Sequence, residues 1–277
     1  MFANLSGPQR AAIFYSTALG LAIVVNAFSG TFGELTPLVT MFTPAVAVVI
    51  VMLLVTREGL GRSGLASLGV MTLGLRGWWL AILGPMAVLA ASYAVLVGAG
   101  LATFAVPEGL RSGGGAIAVN LALSLAIGLV FAFTEEVGWR GYMLPRLLCI
   151  GVVPALLIVR FLHGVWHLPI MLMTPYYHSG ANFLIVVPMF FVALTLAGVF
   201  FGFLRLWTRS VWPVAIAHAV HNFAWSLGSA FVTADNPTTM EYIGGETGIL
   251  EIAALVVLAL ILVPRLSRNR PSAAVPA

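Results

Sequence analysis

The chain has 277 residues, of which 61% are hydrophobic and only 8% charged, against about 25% charged in an average soluble domain. So little polar surface cannot cover a water-soluble globule, and the single cysteine, Cys149, excludes an internal disulfide and any multi-thiolate metal site. The formal net charge of +4 calls for no nucleic acid partner, because arginine gathered on one side of a membrane, facing anionic lipid, produces the same balance.

Stretches near 20 residues with few charges are long enough to cross about 30 Å of hydrocarbon at roughly 1.5 Å per residue. Eight occur, approximately over 11–30, 37–55, 77–103, 116–138, 153–173, 184–205, 211–230 and 248–264. The first reads as a span rather than a signal peptide, since its apolar core is long and no small-x-small cleavage site follows it. The expected fold is all-α and polytopic, with about eight transmembrane helices in one domain over 1–270 and a disordered tail at 271–277. All thirteen basic residues are arginine, and eleven fall in alternate loops and the two ends: Arg10, then Arg57, Arg62 and Arg76, then Arg140 and Arg146, then Arg205 and Arg209, and finally Arg265, Arg268 and Arg270. The opposite loops hold Arg111 together with Glu34, Glu108, Asp235, Glu241 and Glu246. By the positive-inside rule both termini face the cytoplasm.

Within the apolar segments the polar residues form three clusters. The first closes the fourth segment with Glu135, Glu136 and Arg140. An ionised side chain at a membrane helix centre costs roughly 2.5 to 3.5 kcal/mol on insertion scales, so two adjacent carboxylates in a chain with nine acidic residues call for a reason. On a helix Glu136 lies about 40° from Arg140 and Glu135 about 140° from it. Arg140 can neutralise Glu136 and leave Glu135 to handle a proton. A charged helix end snorkelling to the interface is the alternative.

The second cluster lies on the fifth segment, where His163 and His167 share a face at i, i+4, a metal-ligand spacing that here lacks the glutamate of His-Glu-x-x-His sites. Arg160, one turn earlier, needs a partner and could take Glu135 or Glu136 across the bundle, in competition with Arg140. The third cluster lies on the seventh segment: His218 and Asn222 share a stripe at i, i+4, with His221 about 60° round from His218. Polar side chains there also serve as glue between membrane helices. His178 falls in a loop and receives no role.

Taken in order, Glu135-Glu136-x-x-x-Arg140, then Trp166-His167-Leu168-Pro169, then His218-x-x-x-Asn222 resemble the CPBP superfamily of intramembrane proteases. That group includes the CAAX prenyl endopeptidases of the Rce1 type and the bacterial abortive-infection or bacteriocin-immunity proteins. The resemblance covers about residues 115–225. It implies an eight-helix fold with a catalytic cavity open to the cytosol, and, for a bacterial member, an inner-membrane location. By residue it implies Glu135 as the water-activating acid supported by Glu136 and Arg140, His167 helping with the same water, and His218 with Asn222 stabilising the oxyanion. His163 departs from the aromatic residue usual four positions before His167, and His163 and His221 stand as possible additional site residues.

Peptide hydrolysis needs a water, a base, a proton for the leaving amine and donors for the oxyanion, which Glu135, His167, His218 and Asn222 can supply. Glu135, His167 and His218 also make an adequate zinc set, whereas an asparagine suits an oxyanion hole better, so the cofactor is zinc or none. The expected partners are a peptide or protein substrate reaching the site from the cytosol, and the lipid bilayer. The competing readings are a proton- or metal-linked transporter, against which the chain lacks half-to-half symmetry, and a non-proteolytic immunity scaffold.

Overall fold

The computed structural model describes residues 5–107, 114–175 and 182–268. Glu108, Arg111, His178, Arg270 and the tail at 271–277 lie outside the described residues. Eight long helices are present among the described residues: α1 (Gly7–Ala27), α2 (Thr36–Ile50), α3 (Trp78–Gly98), α4 (Gly114–Glu136), α5 (Val152–Met173), α6 (Phe183–Thr208), α7 (Trp212–Phe231) and α8 (Ile249–Arg268). Each coincides with one of the eight expected spans, displaced by a few residues at its ends. The start of α1 is fixed by a capping box, in which Ser6 accepts from the Gln9 amide and the Gln9 side chain accepts from the Ser6 amide. Among the described residues, seven helical stretches are long and apolar enough to cross a membrane. The remaining long helix, α7, is the one that carries His218, His221 and Asn222. This is an all-α polytopic membrane protein.

Apolar side chains point outward as well as inward. Leu83 on α3, Val119, Leu123 and Ile127 on α4, Leu184 on α6 and Leu260 on α8 are all exposed, a surface that water would not tolerate and lipid does. Inside, α1 presents Ala11, Phe14, Ala18 and Ala22, spaced three to four residues apart, to α2 and α5.

The helices close into a circuit. Helix α7 packs between α3 and α4, α4 continues to α2, α2 to α1, α1 to α5, α5 to α6 and α6 to α8, which returns to α3. The expected regular helices are interrupted at two places: Val51–Val55 after α2 and Val137–Met143 after α4 are wound as π-helix. In the second, Gly138 lies so close to Pro44 of α2 and the Phe14 ring of α1 that a Cβ would stand 2.7 and 2.8 Å from them. A two-residue antiparallel ladder, Thr103 opposite Thr233 and Phe104 opposite Val232, ties the ends of α3 and α7.

Candidate active site

The end of α4 is buried on every side. Glu135 is 1% exposed, Glu136 0% and Arg140 2%, although they close a helix that the sequence places at a membrane edge. The wider π-helical turn begins directly after Glu136, a distortion common at functional sites.

Arg140 takes Glu136, as the spacing suggested. Its Nη1 stands 2.9 Å from both carboxylate oxygens, but its N–H is aimed at Oε1, and Oε2 has no hydrogen bond among the described residues. The same Oε1 accepts a second hydrogen bond, from Nδ1 of His218 at 3.0 Å. One carboxylate thus holds the first cluster to the third, and fixes His218 with its other ring nitrogen, Nε2, turned away from Glu136.

Glu135 goes elsewhere. Its Oε2 lies 3.0 Å from Nε2 of His163, while Nδ1 of that ring lies 2.9 Å from Nη1 of Arg160. Arg160 therefore joins neither carboxylate in a direct pair of the kind the sequence allowed; it reaches Glu135 through His163. The physical reason is reach across the bundle: its stem lies against Gly198 of α6, where a Cβ would come within 2.6 Å, and its Nε donates to the Leu194 carbonyl at 3.0 Å. The His163 ring is sandwiched between Trp139, 4.7 Å away, and His167, 4.9 Å away. His167 donates from Nδ1 to the His163 carbonyl at 3.0 Å, which leaves Nε2 as the nitrogen with a lone pair.

One cavity of about 310 Å³ brings these groups together: Glu135, His167, His218 and Asn222 all line it, beside Arg160, His163 and His221. Its remaining wall is largely apolar, with Pro85, Ile170, Phe190 and Leu255 among the lining residues. Sequence reasoning gave no site role to two carboxylates that line this cavity, Glu246 and Glu251. Glu251, 3% exposed near the start of α8, receives Nε2 of His221 at 2.8 Å, and Nδ1 of His221 faces Oδ1 of Asn222 at 3.3 Å. The signal was present, because Glu251 is a carboxylate inside the last predicted span.

For a metal, Glu135, His163 and His167 each offer one ligand atom, all within 4.8 Å of one another. His218 is not a member of that group, so the trio expected from sequence differs from the one the fold assembles by exchange of His218 for His163. Tethering of His218 to Glu136 accounts for the difference.

The family model described as type II CAAX prenyl endopeptidase Rce1-like matches residues 117–224, a segment that contains all three polar clusters. No curated protein matches the chain. Through that segment, which spans less than half of the chain, and through the motifs from Glu135 to Asn222 that it contains, the chain is similar to the Rce1-like family.

Proposed function

We propose that the protein is an intramembrane endopeptidase of the CAAX-processing type, which hydrolyses a peptide bond with water activated by glutamate and histidine. The observation that carries this reading is the placement of Glu135, His167, His218 and Asn222 on one buried cavity. Glu135 takes the proton of the attacking water, and His167, whose Nε2 retains a lone pair, shares that water. Asn222 offers an amide N–H to the developing oxyanion, and His218, held by Glu136 at Nδ1, does the same from Nε2 when its ring carries both hydrogens. Arg140 holds Glu136 in place, and neither residue is among those that line the cavity.

Family members are often described as metalloproteases, and zinc would need lone pairs from this donor set. Arginine has only donors, so Nδ1 of His163 accepts from Arg160 and the ring hydrogen sits on Nε2, which then has no lone pair for a metal. That reduces the clustered trio to Glu135 and His167, one short of the three protein ligands usual in catalytic zinc sites. The residues do not fit the ion in this arrangement, and the mechanism contains no step through it.

On this reading both termini face the cytosol, an orientation the arginine distribution supports, and the substrate peptide enters the cavity from that side of a bacterial cell membrane. The test is cleavage, by purified protein in nanodiscs, of internally quenched peptides with and without a prenylated cysteine near the C-terminus. Glu135→Gln should lower turnover by about 10² to 10⁴, the usual contribution of a general base, with the fold intact. Undiminished cleavage by Glu135→Gln would refute the assignment.

A further inference from the structure

The orientation of Glu135 is set from behind. Arg160 lies on α5, 5% exposed, with its guanidinium pinned at Nε by the Leu194 carbonyl of α6 and its centre 5.0 Å above the Phe201 ring. That leaves Nη1 aimed at His163, 2.9 Å away, and the direction of this hydrogen bond cannot reverse, because a guanidinium has no acceptor. The His163 ring cannot rotate out of the contact, since Trp139 and His167 stack on its two sides and the residue is 0% exposed. Its second nitrogen meets Oε2 of Glu135 at 3.0 Å.

We infer that Arg160 and His163 are positioning residues of the peptidase: Arg160 fixes the tautomer of His163, whose Nε2–H then holds one oxygen of Glu135 and turns the other to the water. This deepens the proposed function and rests on it for its catalytic meaning, while the hydrogen-bond direction stands on geometry alone. It also gives His163 a duty incompatible with metal binding, since one nitrogen cannot both donate to Glu135 and ligate an ion.

Two substitutions separate the possibilities. His163→Gln retains an acceptor for Arg160 and a donor for Glu135, whereas His163→Phe keeps the flat shape and loses both. The loss of a buried hydrogen bond to a charged group predicts a fall of tenfold or more in kcat for His163→Phe with KM little changed, and kcat for His163→Gln within about threefold of wild type. Nitrogen NMR of isotope-labelled histidine in nanodiscs, with His163 assigned by its absence in His163→Gln, reads the tautomer directly and should show hydrogen on Nε2 alone. Hydrogen on Nδ1, equal loss of activity in both variants, full activity in His163→Phe, or zinc stoichiometry that drops in both variants would each overturn the inference. A wild-type protein that cleaves no peptide sinks the peptidase reading instead, and the NMR result still decides the direction of the hydrogen bond.

Discussion

Removing the guanidinium of Arg140 should be among the most damaging single changes in the bundle. In Arg140→Met the Glu136 carboxylate, 0% exposed, keeps only the hydrogen bond from His218. Breaking a buried ion pair from one side leaves an uncompensated charge and costs about 3–5 kcal/mol, a fifth or more of the roughly 5–15 kcal/mol that holds a typical domain folded. The double variant Glu136→Gln with Arg140→Met removes both charges. A glutamine oxygen still accepts from His218, so most of the lost stability should return. A residual deficit of about 0.5–2 kcal/mol remains, because Arg140 also sits 5.3 Å above the Phe201 ring and that contact is lost in both variants. Reversible unfolding of the protein in detergent micelles measures all four corners of the cycle. A single variant within about 1 kcal/mol of wild type, or a double variant less stable than the single, would show that Glu136 does not depend on Arg140 in the way described.

Two further changes test the surroundings of the site. Gly198→Val puts a side chain where the Arg160 stem runs and should cost about 1–3 kcal/mol of stability, with loss of turnover as Arg160 is displaced from His163; unaltered unfolding and activity would contradict the close approach. Glu58→Ala releases Arg10 and Arg146 from a carboxylate that is 19% exposed, and should cost only about 0–1 kcal/mol, falling further at high salt; a loss comparable with that of Arg140→Met would mean that the partly exposed network bears more of the fold than its position suggests.

The spans were legible because lipid demands long apolar segments, and the demand is written residue by residue. What periodicity could not supply was the π-helical winding at Val51–Val55 and Val137–Met143, the second of which seats Gly138 against Phe14 and Pro44. The pairing of Glu136 with Arg140 followed from local helix geometry, whereas the partner of Arg160 depended on where α6 crosses α5, a relation between distant parts of the chain. For the same reason the sequence grouped His218 with Glu135 and His167, while the folded chain ties His218 to Glu136 and brings His163 to Glu135. Glu251 went unread as a single acid near a helix start; only the fold shows that it meets His221.

Phe201 lies under two guanidinium groups at once, with Arg140 5.3 Å and Arg160 5.0 Å from its ring centre and the His218 ring 5.8 Å away. The two arginines repel each other in a medium that screens poorly, and the ring attracts each of them. A residue with no acid, base or lone pair of its own thereby touches both the arm that steadies Glu136 and the arm that steadies Glu135. Evolution or engineering that trims this phenyl group would retune both carboxylates together, although neither would have changed.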